Sequence, residues 1–215
     1  MMDDHVLRQK MIEEQIKRRG VKDAVTLDAM SVVPRHEFVP TLLQVSAYED
    51  TPLPIGLGQT ISQPYIVALM TQSAELKPDD SVLEIGTGSG YAAAILSRIV
   101  KKVFTIERIE DLAQRAKAAY KRLGYDNIEV KSGDGTRGWA DKGPFDAILV
   151  TAGAPIIPNS LKEQLKPGGR LIIPVGDAFS QRLLRIRKLE DNTFVEETVE
   201  YVRFVPLIGE EGWRE

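Results

Sequence analysis

Apolar and polar positions change rhythm along the chain, and each rhythm predicts a different element. Between Asp3 and Arg19, the residues Leu7, Met11, Ile12 and Ile16 form an i, i+4 stripe. That spacing predicts a helix, with Asp3 or Asp4 as its cap and Gly20 as its end. Ala24 to Val33 predicts a second, short helix, which Pro34 breaks. The stripe is expected to pack into a core. Pro34-Arg35-His36-Glu37-Phe38-Val39-Pro40 is bracketed by prolines and is not regular helix. Ala47 to Pro64 is rich in proline and glycine and has little charge after Asp50. A long irregular segment that is also apolar is expected to lie across a surface and carry function. Pro64 then stands in the first turn of a helix running to about Ala74, with Ser62 at or just before its cap.

From Ser81 the rhythm alternates. Strand-like runs are Ser81–Ile85, Lys102–Ile106, Ile128–Lys131, Phe145–Val150 and Arg170–Val175. Between them lie helical runs at Ala92–Ile99, Asp111–Leu123 and Ser160–Leu165, with Gly124 closing the second and Pro167-Gly168-Gly169 turning into the fifth strand. Strand and helix in alternation predict a parallel sheet with helices on both faces. Arg182–Lys188 and Glu197–Val205 come next with no helix between them, and read as an antiparallel pair at the sheet's edge. The fold class is therefore α/β: a Rossmann-like, doubly wound, mostly parallel seven-stranded sheet with an N-terminal helical appendage. The expected organisation is one domain over 1–215: helices and loop in 1–80, a βα core in 81–175, and C-terminal strands and tail in 176–215.

Composition narrows the chemistry. The chain has 215 residues, no cysteine and two histidines, with a formal net charge of −3. A disulfide framework, a Cys nucleophile and thiolate metal sites are excluded. His5 and His36 are too few and too isolated for a His-rich metal site, and His36 reads as a packed loop residue rather than a base. The charge gives no footprint for nucleic acid. No apolar run is long enough to span a membrane, and the N-terminus is acidic and polar. A soluble, cytoplasmic monomer with no nucleic-acid or membrane partner is the expectation.

The chemistry gathers at the strand ends. Ser81-Val82-Leu83-Glu84-Ile85-Gly86-Thr87-Gly88-Ser89-Gly90-Tyr91 reads as strand, tight glycine turn and helix start. Glycine is needed where the backbone takes positive φ or a ligand comes close, and the helix N-terminus offers free N–H groups. The spacing is G-x-G-x-G, with Tyr91 where the dinucleotide fingerprint has its third glycine. In an open α/β sheet, ligands bind at the carboxyl ends of the strands. Glu107 ends the second strand, where an acid can take both hydroxyls of a ribose; Asp134 follows the third and Thr151 the fourth. No Lys-Ser/Thr follows the glycines, so the turn is not a phosphate-binding P-loop. A pyrophosphate beside Glu84, Glu107 and Asp134 is poorly served. A nucleoside with a cationic centre suits this ring of carboxylates, and S-adenosylmethionine is such a ligand.

Leu83-Glu84-Ile85-Gly86-Thr87-Gly88-Ser89-Gly90 resembles the first motif of class I S-adenosylmethionine-dependent methyltransferases. Pro52-Leu53-Pro54-Ile55-Gly56-Leu57-Gly58-Gln59-Thr60-Ile61-Ser62-Gln63-Pro64 is similar to one branch, the protein-L-isoaspartate (D-aspartate) O-methyltransferases. So are Pro34 to Pro40, Gly133-Asp134-Gly135, Pro144 to Thr151, and Phe204-Val205-Pro206-Leu207. The resemblance spans Pro34 to Trp213 in the family's order.

It implies methyl transfer from S-adenosylmethionine, leaving S-adenosylhomocysteine, to the α-carboxylate of isoaspartyl residues in proteins and peptides, with D-aspartyl sites left open. It implies Ser62 as the catalytic position. Gln59, Thr60, Glu84, Gly86, Thr87, Gly88, Gly90, Glu107, Arg108, Asp134, Gly135 and Thr151 are implied for the cofactor, and Ile61, Ser62, Pro64 and Val205 for the substrate. Ser62, with backbone N–H groups at the start of the Pro64 helix, is expected to hold the substrate carboxylate; a helix-cap role is compatible with this. The family's tail closes over cofactor and substrate, and Ile208 to Trp213 is shorter here than versions carrying polar cofactor contacts. The resemblance also suggests that the last two strands are exchanged relative to most class I methyltransferases. A base-directed amino-methyltransferase is the first rival, but Thr151-Ala152-Gly153-Ala154-Pro155 stands where its Asn/Asp-Pro-Pro-Tyr motif falls.

Overall fold

The structure is a computed structural model that describes residues 3–214. The expected first helix is three pieces in one run. Helix α1 (Asp4–Lys10) is capped by the Asp3 carboxylate, which accepts from the His5 N–H at 3.0 Å. A π-helical turn (Met11–Ile16) and a 3₁₀ turn (Lys17–Arg19) continue it, ending at Gly20 with φ +96°. A π turn closes i to i+5, so it brings residues five apart to one face. Met11 and Ile16 are both fully buried as a result. Helix α2 (Ala24–Val32) is capped by Asp23, which accepts from both the N–H and the hydroxyl of Thr26. Short 3₁₀ turns occupy the proline-bracketed stretch, at Arg35–Phe38, and the residues just after it, at Thr41–Ser46.

The segment expected to be irregular is a small antiparallel hairpin. Strands β1 (Leu53–Gly56) and β2 (Gln59–Ile61) pair Leu53 with Ile61 and Pro54 with Thr60. The turn between them is built from Gly56, Leu57 and Gly58, all at positive φ. Strands this short, one carrying a proline, leave no periodic signal, and proline is tolerated because neither strand is inside a larger sheet. Helix α3 (Pro64–Ser73) comes next, with Pro64 at its first position.

The remaining elements are β3 (Ser81–Ile85), α4 (Tyr91–Ser97), β4 (Lys102–Glu107), α5 (Glu110–Leu123), β5 (Ile128–Ser132), β6 (Phe145–Val150), α6 (Asn159–Glu163), β7 (Leu165–Gly176), β8 (Gln181–Lys188) and β9 (Phe194–Val202). The seven-stranded sheet runs β5-β4-β3-β6-β7-β8-β9. The first five are parallel and the last two antiparallel. Strand β8 lies beside β7 and β9 takes the edge. The Pro167-Gly168-Gly169 turn is absorbed into β7 as an irregularity in its pairing with β6.

Both faces of the central strands are buried, which is why they read as continuous apolar runs. Val82, Val103, Ala147 and Ile172 face the N-terminal helices, α3, α4 and α5. Leu83, Ile85, Ile106, Ile148 and Leu171 face the other way, covered by Leu161 of α6, Trp139 and Leu207. No helix among the described residues is long and apolar enough to cross a membrane.

Candidate active site

The carboxyl ends of β3, β4 and β6 open onto one cavity, part of it continuous with solvent. The turn from β3 into α4 forms its floor. Gly86, Gly88 and Gly90 have φ of +96°, +52° and +90°. Two of them are also sterically required. A Cβ on Gly86 would lie 2.5 Å from the Thr151 hydroxyl oxygen, and one on Gly90 would lie 2.8 Å from the Tyr120 hydroxyl. The Thr151 hydroxyl donates to the Gly86 carbonyl at 2.7 Å, tying the end of β6 to the turn. Glu107 fixes the turn from the other side. Its Oε2 accepts from the Gly88 N–H at 2.8 Å and its Oε1 from the Ile109 N–H at 3.0 Å.

Beneath the turn, Glu84 is completely buried. Its Oε2 accepts from the Thr105 hydroxyl at 2.5 Å, and Thr105 lies 2.6 Å from the Thr87 hydroxyl. Oε1 of Glu84 is buried as well. Burial pushes its carboxyl up to about 8; the charge of Glu107 adds to this, and bonds from the Thr105 hydroxyl and the Ala93 N–H oppose it.

The hairpin supplies the opposite wall. Gln59, Thr60, Ile61 and Ser62 line the cavity, as do Glu84, Gly86, Thr87, Gly88, Glu107, Arg108, Gly135, Thr151 and Val205. The structure thus brings together most of the residues expected there. A second cleft, lined by Arg19, Pro52, Gln63, Ile66, Tyr201 and Arg203 among others, meets the first at Thr60, Ser62, Thr151, Val205 and Pro206. Ser62 stands in the doorway between the two.

Three expected site residues lie off both walls. Gly90 is the cap of α4, tucked under the Tyr120 ring. Pro64 is buried at the first position of α3. Asp134 is turned to the C-terminal tail: Oδ1 accepts from the N–H and hydroxyl of Thr136 at 2.8 and 2.7 Å, and Oδ2 from the Glu210 N–H at 2.8 Å. Burial would raise its carboxyl, but these bonds outweigh it and hold it below the usual range. The backbone donors expected beside Ser62 are also taken. Pro64 has no N–H, the Tyr65 N–H donates to Asp50, and those of Ile66 and Val67 donate to the Gln63 carbonyl. Ser62 does not cap α3, whose cap position is Gln63. His36 is remote from the cavity, with Nδ1 2.7 Å from the Tyr48 hydroxyl.

Other wall residues were hidden in the sequence. Val67, Met70 and Thr71 of α3 are spaced i, i+3, i+4 and read as core stripe. Leu207 and Ile208 close the cavity from the tail, which Trp213 fastens by donating from its indole N–H to the Gly153 carbonyl at 3.0 Å.

The family model described as protein-L-isoaspartate(D-aspartate) O-methyltransferase matches residues 6–212. The chain belongs to that family. It is 56% identical over 214 residues to the protein-L-isoaspartate O-methyltransferase of Trichlorobacter lovleyi, covering 100% of this chain and 99% of the relative. It is 55% identical over 212 residues to that of Geobacter metallireducens, covering 99% and 98%. Among solved structures, a protein-L-isoaspartate O-methyltransferase superposes with a TM-score of 0.84 at 31% identity, over 98% of this chain and 67% of that one. A Plasmodium falciparum protein described as a protein-L-isoaspartate O-methyltransferase, in complex with S-adenosyl-L-homocysteine, superposes at 0.81 and 28% identity, over 97% and 99%. The family match takes in the hairpin, the glycine turn and the tail, so both clefts lie within it.

Proposed function

We propose that the protein methylates the α-carboxylate of L-isoaspartyl residues in damaged proteins and peptides, with S-adenosylmethionine as methyl donor. The observation that carries this reading is the doorway. Ser62 lines both a cavity that holds the buried Glu84 and an open cleft beside it. The deep cavity suits the cofactor, because two acidic residues, Glu84 and Glu107, line it and match a ligand that carries positive charge and a ribose diol. When bound, S-adenosylmethionine supplies an electrophilic methyl group on a sulfonium that leaves as a neutral thioether.

The chain's own residues then have little proton chemistry to do. The acceptor carboxylate is ionised at neutral pH, so no general base is needed. Ser62 holds it by hydroxyl donation. Thr60, Ile61 and Val205 shape its approach, and Gln59, Gly86, Thr87, Gly88, Glu107, Arg108 and Thr151 set the cofactor's position. Orientation and exclusion of water carry the rate, and orientation alone contributes roughly 7–11 kcal/mol in favourable cases. The methyl ester closes without enzyme to a succinimide, which reopens in part to normal aspartate. The chain works as one unit, a monomer in the cytoplasm, on polypeptide and not on nucleic acid; a net charge of −3 supports the last point.

The test is incubation with radiolabelled S-adenosylmethionine and two peptides differing only in aspartate against isoaspartate. Base-labile label on the isoaspartyl peptide alone is expected. Label on both equally, or on neither, overturns the proposal.

A further inference from the structure

No group among the described residues hydrogen-bonds the Ser62 hydroxyl, so no side-chain bond fixes it. Its place is set by the backbone on either side. On one side, Ile61 pairs with Leu53 in the hairpin. On the other, Gln63 and Tyr65 both bond to a single carboxylate, that of Asp50: Gln63 Nε2 donates to Oδ2 at 2.7 Å and the Tyr65 N–H donates to Oδ1 at 3.1 Å. Asp50 and Leu53 belong to one short strap, so residues 50–53 clasp Ser62 from both sides.

The strap is itself anchored. Arg35, fully buried, donates from Nε to the Ala47 carbonyl at 2.8 Å, with a longer contact from Nη2 to the Thr51 carbonyl at 3.5 Å. Its guanidinium lies 5.0 Å from the centre of the Tyr91 ring, at the start of the helix after the glycine turn. Arg19 completes the clasp. Its Nη1 donates to Asp50 Oδ2 at 2.8 Å, and its guanidinium lies 3.4 Å over the Tyr65 ring. The pair is partly exposed, so it contributes geometry more than energy.

We propose that Asp50 is a positioning residue for methyl transfer, acting through Ser62. This rests on the reading of Ser62 given above. A carboxylate is a poor neighbour for an anionic acceptor, so its presence beside the doorway is explained by what it holds rather than by attraction. That separates the effects of an Asp50→Asn change. The amide keeps an acceptor for the Tyr65 N–H but turns an N–H₂ toward the donors of Gln63 and Arg19, and the negative charge is gone. Loss of charge does not raise the KM for an anion. A fall in kcat then reports misplacement.

The experiment is steady-state kinetics on an isoaspartyl peptide, with S-adenosylhomocysteine affinity by calorimetry, for the parent, Asp50→Asn, Ser62→Ala and the double variant. Asp50→Asn is expected to lower kcat by about 10- to 100-fold, as small misplacements do, with KM and S-adenosylhomocysteine affinity near the parent's. In the Ser62→Ala background the same change is expected to cost little more, because the group it positions is gone. Full activity of Ser62→Ala overturns the reading of Ser62 itself. Loss in Ser62→Ala with none in Asp50→Asn, or losses that multiply in the double variant, overturns the role of Asp50 and leaves that reading standing. Should Asp50→Asn not fold, Gln63→Leu removes one arm of the clasp. A smaller kcat loss that vanishes with Ser62→Ala supports the inference, and an unchanged kcat overturns it.

Discussion

Glu84 and Thr105 face each other across the parallel pair β3–β4, and the Thr105 hydroxyl donates to the Glu84 carboxylate at 2.5 Å with both side chains fully buried. When Glu84 is ionised, Thr105 has given its one proton to that bond, so the Thr87 hydroxyl must donate to Thr105. The acid at the root of the glycine turn thus sets the orientation of a hydroxyl on the cavity wall.

The burial of Glu84 makes stability depend on pH. Burial raises the Glu84 carboxyl from 4.5 to about 8 in the folded protein. Between those values the native state holds a proton that the unfolded chain has lost, so stability falls as pH rises through that window and levels off above it. Glu84→Gln removes this dependence while keeping an acceptor for Thr105. Urea midpoints measured from pH 5 to 9 should fall more steeply for the parent than for Glu84→Gln. Parallel curves would show that Glu84 is ionised throughout. A cationic ligand beside the carboxylate favours its charged form. S-adenosylmethionine binding at pH 7 should therefore release protons in the parent, seen as a buffer-dependent heat, and Glu84→Gln should bind more weakly and release fewer.

Gly86 separates backbone strain from steric conflict. Its φ of +96° penalises any Cβ, and that Cβ would also meet the Thr151 hydroxyl at 2.5 Å. Gly86→Ala should cost about 1–3 kcal/mol from backbone strain, with a further share from the clash, and should weaken S-adenosylhomocysteine binding. Adding Thr151→Ala removes the clash but not the strain. Denaturation of the four chains should show the double variant more stable than the sum of the single losses predicts. Simple additivity would mean that the two positions do not meet.

How much of the fold and the site was readable in the chain depends on the range of the interactions. Strands β3, β4 and β6 were legible because both faces are buried and the apolar runs are continuous. The π turn at Met11–Ile16 was not, since its stripe also satisfies an α-helix. The hairpin was hidden by its brevity and by Pro54. Glu84 and Glu107 could be expected at the cavity because a strand end is a local feature, and both line it. Asp134 sits at a strand end too, but its carboxylate is claimed by Glu210, 76 residues away, and no local pattern shows that. The donors beside Ser62 failed for the same reason, with Asp50 15 residues from Tyr65.

Removing the Ser62 hydroxyl costs the protein no internal hydrogen bond. Ser62→Ala should therefore leave stability within about 0.5 kcal/mol of the parent, as for substitutions that break no contact. S-adenosylhomocysteine affinity should stay near normal, while methylation of an isoaspartyl peptide should lose most of its rate. A variant that keeps its rate would remove Ser62 from the acceptor site, and one that loses cofactor affinity in step with rate would move it to the cofactor side.

Asp134 closes the cavity from a distance. By accepting the Glu210 N–H at 2.8 Å it holds the tail whose Leu207 and Ile208 form part of the cavity wall. Thr136 helps, its hydroxyl accepting the Glu211 N–H at 3.1 Å, and the Trp213 indole fastens the far end to Gly153. Because its hydrogen bonds hold the Asp134 carboxyl below 3.8, this latch contributes stability above that value and loses it only as pH falls further. Neutral pH leaves it intact. Asp134→Ala should then release the tail without disturbing the glycine turn. S-adenosylhomocysteine should bind more weakly, chiefly through a faster off-rate, because the wall that retains it is loosened while the floor is unchanged. The tail reports on itself: in a Trp139→Phe background, Trp213 emission should shift to the red in Asp134→Ala and return toward the parent's position when ligand is added. An off-rate equal to the parent's, with Trp213 emission unmoved, would show that the tail stays closed without Asp134, held by its other bonds, among them Trp213 to Gly153, Ser160 to Glu211 and Arg137 to Glu210.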